Sequence, residues 1–213
     1  MNKEKSEWDS YWETGNSNIS KKIFNFGRKY YFAKKIANQL KDYKNKLVLE
    51  PGSGSCESLV HIAKKAKKVV GLDNSEKAMR LAHNNFKQAE IDKEKYWLCL
   101  GDLFEMPFPD NSFDIVFNAG VIEHFDSIKP IKEMIRVAKR GGRIIIFVPA
   151  KNSLYSFIFW LLSMGLKGIW HKHEFYTKRM MKKELFQAGA KIIKVKQPLS
   201  FLGTYIVGIV RKL

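Results

Sequence analysis

The chain has 213 residues, of which 45% are apolar and 28% charged, and its formal net charge is +17. Such a composition is typical of a globular chain with a full core and excludes a disordered one. Two cysteines, Cys56 and Cys99, are too few for a disulfide framework, and no apolar leader follows Met1. We therefore expect a cytoplasmic protein.

The positive charge is concentrated towards the C-terminus. Residues 151–213 carry 12 basic and 2 acidic side chains, whereas residues 46–150 carry 16 and 14. A field of this kind attracts anions such as nucleic acid, lipid headgroups or a phosphorylated metabolite. The alternative is a lysine-rich surface that only keeps the chain soluble.

The first strongly patterned segment runs from an aromatic, acidic stretch at residues 7–13 to an amphipathic stretch at 28–41. In the second stretch, apolar side chains recur every four positions, which predicts a helix. After it, residues 47–49 are all apolar and predict a short buried parallel strand. Residues 55–63 then have helical spacing.

A glycine-rich turn joins that strand to that helix. Gly52 and Gly54 can adopt positive φ and let the backbone approach a ligand closely. Strand, glycine turn and helix form the first half of a nucleotide-binding βαβ unit. Glu57 stands where a dinucleotide fingerprint has its third glycine, and the carboxylate of Glu50 would repel a pyrophosphate but attract a cation.

A second buried strand, residues 68–72, ends in a carboxylate. Asp73 lies 19 residues after Gly54, a spacing that suits an acid accepting hydrogen bonds from both hydroxyls of a ribose. This spacing does not distinguish between cofactors that share a ribose. The alternative role for Asp73 is to cap the helix that opens near Ser75.

The segments after Asp73 continue the alternation of strands and helices. We expect strands at 96–100, 112–120 and 143–149, and a helix at 128–139 that ends at two glycines, Gly141 and Gly142. Glu123 and His124 follow the second of these strands. An imidazole of near-neutral pKa can accept a proton from a substrate hydroxyl, or the pair only shapes the loop and positions a substrate.

In this order, the motifs resemble those of class I S-adenosylmethionine-dependent methyltransferases. The matching stretches are Glu-Pro-Gly-Ser-Gly at 50–54, Gly-Asp-Leu-Phe-Glu-Met-Pro-Phe at 101–108 and Arg-Val-Ala-Lys-Arg-Gly-Gly at 136–142. The resemblance covers roughly residues 45–150 and is strongest to the ubiquinone/menaquinone-type branch. It implies an α/β fold with a doubly wound, Rossmann-like sheet of seven strands, mostly parallel with an antiparallel last strand, and helices on both faces.

The resemblance also implies one domain over residues 1–213. Within it, we expect an N-terminal helical cap at 1–45, a cofactor-binding core at 46–150, an apolar substrate or lid insertion at 151–177, and a C-terminal helix with two strands at 178–213. Residues 153–170 are apolar all round but shorter than the roughly 20 residues of a membrane span. We expect one of three roles for them: a substrate lid, a segment that docks on an anionic membrane, or a helix that is buried on the core or in a dimer interface.

The cofactor implied is S-adenosylmethionine, with S-adenosylhomocysteine as product and no metal. Glu50 and the glycine turn would hold its amino-acid part, Asp73 its ribose, and Asp102 its adenine. Tyr11 would cover the cofactor, unless it only packs the first helix. The full set of implied cofactor-binding residues is Tyr11, Glu50, Gly52, Ser53, Gly54, Asp73, Asn74, Asp102, Leu103, Asn118, Ala119 and Gly120.

The acceptor is expected to be a small, apolar or anionic molecule methylated on oxygen, nitrogen or carbon. His124 is the candidate base, and Glu123, His171 and Tyr176 are the candidate substrate contacts. His171 also belongs to a His-x-His-Glu stretch, but no second ligand cluster accompanies it, so a structural metal site is not expected. Three alternatives remain: a nicotinamide oxidoreductase, an RNA or DNA methyltransferase, and a non-enzymatic module that binds anions or membranes.

Overall fold

Seven strands form one mixed sheet in this computed structural model, which describes residues 8–10, 12, 32–151, 153, 174–198 and 204–212. The strands are β1 (Leu47–Pro51), β2 (Lys68–Asp73), β3 (Tyr96–Leu100), β4 (Phe113–Ala119), β5 (Ala138–Pro149), β6 (Lys191–Lys196) and β7 (Tyr205–Arg211). Their order in the sheet is β3-β2-β1-β4-β5-β7-β6. The expected seven-stranded, mostly parallel sheet is confirmed.

The chain divides into two compact units, and the first is Met1–Leu103. Its strands β3, β2 and β1 are parallel, with Val48 beside Val69 and Val69 beside Tyr96. Its described helices are α1 (Ala33–Leu40), α2 (Glu57–Ala63) and α3 (Glu76–Gln88). The side chains of β1 and β2 are largely buried, because helices cover a parallel sheet, whereas Trp97 and Leu100 of the edge strand β3 are about half exposed.

The second unit is Phe104–Leu213. In it, β4 and β5 are parallel, whereas β7 is antiparallel to both β5 and β6. Its described helices are α4 (Ile128–Val137) and α5 (Lys178–Gln187). Helix α5 rests on β7, where a Cβ placed on Gly208 would lie 3.0 Å from the Sδ of Met181. Because β7 is antiparallel to both of its neighbours, the predicted antiparallel last strand is confirmed.

One predicted boundary is wrong. Helix α4 ends at Val137, and β5 begins at Ala138, so Gly141 and Gly142 lie in a strand instead of capping the helix. The pairing of β4 with β5 is irregular here, and Gly141 takes a φ of +73° while its N–H donates to the carbonyl of Lys212. The glycines accommodate a strand irregularity.

No helix within the described ranges is long and apolar enough to cross a membrane. Most of residues 153–170, the predicted apolar insertion, lie outside the described part of the chain.

Candidate functional site

The glycine turn after β1 is held against the next strand by its own backbone. The N–H of Ser53 donates to the carbonyl of Leu72 at 3.0 Å, and the N–H of Cys56 donates to the carbonyl of Ser53 at 2.9 Å. Gly52 and Gly54 have φ values of +67° and +51°, which confirms the conformational reason for glycine in this turn.

Sequence reasoning missed a third glycine on which this turn depends, Gly71, which lies on the neighbouring strand β2. A Cβ on Gly71 would come 2.6 Å from the Sγ of Cys56 and 2.9 Å from the Oγ of Ser53. Both distances are shorter than real contacts, so only glycine lets the turn pack on β2. Burial, followed by the negative charge of Glu50, raises the pKa of the Cys56 thiol. This thiol therefore stays protonated and is no nucleophile.

The carboxylate of Asp73 binds the turn directly. Its Oδ2 accepts a hydrogen bond from the N–H of Gly54 at 2.8 Å, and its Oδ1 accepts one from the N–H of Ser75 at 3.0 Å. Burial raises the pKa of Asp73, whereas these donors act in the opposite direction. The cap of α3 is Ser75, whose Oγ accepts from the N–H of Ala78 at 3.2 Å. A carboxylate has about four acceptor sites, so Asp73 keeps capacity for further donors.

The other predicted cofactor residues of the first unit lie at the ends of the same strands. Glu50 is only 4% exposed at the end of β1, and Asn74 follows β2 directly. Asp102 and Leu103 follow β3, next to Gly101, whose N–H donates to the carbonyl of Asp73 at 3.0 Å. Three parallel strands thus carry acidic side chains at their carboxyl ends, where α/β sheets bind ligands.

The N-terminal segment contacts this part of the first unit. A Cβ on Gly54 would lie 2.6 Å from Cζ2 of Trp12, so the indole packs directly on the glycine turn. Asp9 accepts a hydrogen bond from the hydroxyl of Ser75. These contacts agree with the packing alternative for the N-terminal aromatic residues. Tyr11, the predicted cover of the cofactor, lies outside the described residues.

In the second unit, the predicted residues follow β4. Asn118 is 1% exposed, Ala119 ends the strand, and Gly120 turns the chain with a φ of +74°. The N–H of Gly120 donates to the carbonyl of Phe147 on β5 at 3.0 Å. This bond fixes the point at which the backbone leaves the sheet.

A 3₁₀ turn over Ile122–His124 then carries Glu123 and His124. Glu123 is 2% exposed, and burial raises the pKa of its carboxyl to about 8. Its Oε2 has no hydrogen-bond partner among the described residues. A Cβ on Gly120 would lie 3.7 Å from its Oε1, so the carboxyl lies beside the turn that follows β4. His124 is half-buried, and its ring lies 6.3 Å from that of Phe125.

Tyr176 is buried in a hydrogen-bonded cluster with Ser127 and Glu184. Its hydroxyl donates to Oε2 of Glu184 at 2.9 Å, and the hydroxyl of Ser127 donates to the same oxygen at 2.5 Å. Burial, followed by the charge of Glu184, raises the pKa of Tyr176 far above its usual value. The predicted helix cap at Thr177 is confirmed, because its Oγ1 accepts from the N–H of Met180 at 3.2 Å. His171 lies outside the described residues.

Arg136, the first residue of the Arg-Val-Ala-Lys-Arg-Gly-Gly stretch, ties the loop at 106–110 to α4. Its guanidinium donates to the carbonyls of Met106 and Phe108 and to the carboxylates of Glu133 and Asp110, at 2.8–2.9 Å. The hydrogen bonds from Arg136 lower the pKa of Glu133. Glu133 is a local i,i+3 partner, but sequence reasoning had no signal for Met106, Phe108 and Asp110, which are 26–30 residues away.

Known proteins are similar to this chain in sequence and in fold. Residues 49–146 match the family described as "Methyltransferase domain". Ajmaline N-methyltransferase of Rauvolfia serpentina is 35% identical over 105 residues, which are 48% of this chain and 36% of that protein. Demethylmenaquinone methyltransferase of Geobacillus stearothermophilus is 29% identical over 139 residues, which are 63% of this chain and 58% of that protein.

Residues 49–146 therefore match a methyltransferase domain, and the similarities support a class I S-adenosylmethionine-dependent methyltransferase. A solved structure supports the fold: magnesium protoporphyrin IX methyltransferase from Synechocystis PCC 6803, with bound S-adenosylhomocysteine, has a TM-score of 0.71 at 17% identity. That likeness covers 98% of this chain and 94% of the other. The chain spans less than two thirds of the length of these two curated relatives.

Proposed function

We propose that the protein transfers the methyl group of S-adenosylmethionine to a small acceptor. The observation that carries this proposal is the bond between Asp73 and the N–H of Gly54, because it ties the glycine turn to the acid that we propose binds the ribose. The family match to residues 49–146 supports the same cofactor over a nicotinamide. Bound S-adenosylmethionine would supply the electrophilic methyl group.

The chain's own acidic groups suit this cofactor. The buried carboxylate of Glu50 would pair with the cofactor's amino group, and the spare acceptor sites of Asp73 would take the ribose hydroxyls. A pyrophosphate would instead meet two carboxylates. Asp102 and Leu103, which end the first unit, are proposed to contact the adenine. Asn118, Ala119 and Gly120 are proposed to line the methionine part, and His124 is the proposed base for a protic acceptor.

Calorimetric titration tests the proposed cofactor. The purified protein would be titrated with S-adenosylmethionine and S-adenosylhomocysteine, and with NADH and NADPH as controls. We expect micromolar dissociation constants, about −8 kcal/mol, for the first pair alone. Binding of NADH, or no binding of either pair, would overturn the proposed function.

A second proposal concerns an anionic lipid surface as a partner. Helix α5 and strand β6 carry seven basic side chains, six of them exposed, and one acid, Glu184, which is bound to Ser127 and Tyr176. Two large apolar side chains, Phe186 and Ile193, are 78% and 54% exposed on these elements. Basic side chains with exposed apolar ones suit a membrane surface. We define these two elements as the basic face.

A further inference from the structure

Glu123 is a buried acid without a counter-ion in the described part of the chain. Its side chain is 2% exposed, and its Oε2 has no hydrogen-bond partner there. No lysine, arginine or histidine among the described residues forms an ion pair with it. Buried carboxyl groups are normally paired or hydrogen-bonded, so the structure leaves this one incomplete.

Burial raises the pKa of Glu123 and a backbone hydrogen bond opposes it, so no basic side chain of the described residues stabilises the charged form of this acid. His124 shares its turn, and the backbone N–H of Glu174 donates to the carbonyl of Glu123 at 3.1 Å. From the same segment, Tyr176 lies near enough for the charge of Glu123 to affect its pKa. Beyond Tyr176 lies Glu184, whose carboxylate already accepts two hydroxyl hydrogen bonds. Of these acidic side chains, Glu123 is therefore the one whose carboxyl has an oxygen without a hydrogen-bond partner among the described residues.

The ligand that completes this arrangement carries a positive charge and N–H donors. A protonated amine supplies both, because it donates hydrogen bonds to Oε2 and compensates the negative charge that the carboxyl acquires when its proton leaves. An alcohol supplies a donor but no charge. The carboxyl lies beside Gly120 in the turn after β4, where we propose that the acceptor binds.

We propose that Glu123 is the anchor for a cationic amine of the acceptor, so that the acceptor is an apolar amine. This inference rests on the proposed function, because it concerns the acceptor of that reaction. Burial holds the carboxyl protonated at neutral pH. When an ammonium group binds, one proton leaves the pair, whether the remaining proton sits on nitrogen or on oxygen.

The experiment uses a matched pair of probes, 2-phenylethylamine and 2-phenylethanol, titrated into the full chain saturated with S-adenosylhomocysteine at neutral pH. Calorimetry in two buffers of different ionisation enthalpy counts the protons released. We expect the amine to bind at least about tenfold more tightly than the alcohol and to release about one proton. Equal affinities, no amine binding, or no proton release would overturn the proposal.

Two variants separate an anchor from a structural residue. Glu123→Gln keeps the shape of the side chain and should abolish both the amine preference and the proton release. Glu174→Gln removes an exposed carboxylate nearby and should preserve both. If Glu123→Gln fails to fold, Glu123→Asp, which keeps the acid, should retain the proton release. An unchanged amine preference in Glu123→Gln would contradict the anchor.

Titration with S-adenosylhomocysteine alone distinguishes the two proposals. If it does not bind but the amine still releases a proton through Glu123, the proposed function fails and the amine site survives. If it binds and the amine does not, only the anchor fails.

Discussion

The carboxylate of Asp73 connects the glycine turn to the start of α3 in the first unit. One of its oxygens accepts a hydrogen bond from the N–H of Gly54, and the other accepts one from the N–H of Ser75. The same side chain therefore orders the glycine turn and the start of α3. A single acid can organise both segments before any ligand arrives, and such preorganisation lowers the cost of binding.

Two substitutions of Asp73 should weaken cofactor binding to different extents. Asp73→Asn keeps one acceptor oxygen and should weaken S-adenosylhomocysteine by about tenfold, whereas Asp73→Ala also releases the N–H of Gly54 and should weaken it by about a hundredfold. Calorimetry measures both affinities. Asp92→Asn, which changes an exposed acid of the same unit, should bind as the unmodified protein does. Unchanged affinity in Asp73→Ala would contradict the ribose assignment.

Gly71→Ala should destabilise the first unit. The new Cβ would meet the Sγ of Cys56 at 2.6 Å, so the turn must shift, and overpacking of this kind costs about 1–3 kcal/mol in free energy of unfolding. Urea denaturation measures the loss. In Cys56→Ala, which lacks the sulfur, Gly71→Ala should cost at least about 0.5 kcal/mol less. Strict additivity of the two substitutions would show that this contact carries no strain.

The sequence predicted the framework well where the signal was local. Residues 47–49 are apolar and lie just before the glycine turn, and the spacing from Gly54 to Asp73 identified an acid that the structure places on the turn. Hydrophobic runs and turn glycines report directly on strands and on positive φ.

Prediction failed where the partner is distant in sequence. Gly141 resembles a helix cap, but its N–H bonds to the carbonyl of Lys212, which no local pattern reveals. Likewise, Ser127 and Glu184 are hydrogen-bonded although they are 57 residues apart in the sequence. The close packing of Gly71 against Cys56 was equally invisible, because a glycine inside an apolar strand has no distinctive neighbours in sequence.

The stability of the protein should fall between about pH 4.5 and pH 8 because of Glu123. Burial raises the pKa of its carboxyl from 4.5 to about 8, so the folded chain keeps a proton that the unfolded chain has lost in this range. The unfolded state binds fewer protons, and the free energy of unfolding therefore decreases with pH, by up to about 1.4 kcal/mol per pH unit, and levels off above pH 8.

Urea denaturation at several pH values, compared between the unmodified protein and Glu123→Gln, isolates this contribution. The variant has no proton to lose, so the difference between the two curves should change across the window and stay constant above it. Glu174→Gln, whose carboxylate is exposed, should follow the unmodified protein. Parallel curves for Glu123→Gln and the unmodified protein would mean that Glu123 is ionised in the folded chain.

The basic face should bind anionic vesicles. Sedimentation with phosphatidylcholine vesicles, with and without phosphatidylserine, should show binding only to the anionic ones and loss of binding at high salt. Lys182→Glu with Lys183→Glu should weaken it by at least about tenfold, since each basic residue near the surface contributes about 1 kcal/mol. The same reversals at Lys64 and Lys65, exposed in the first unit, are the charge-matched control and should have a smaller effect. Binding to a short RNA duplex without vesicle binding would contradict the lipid partner and favour nucleic acid.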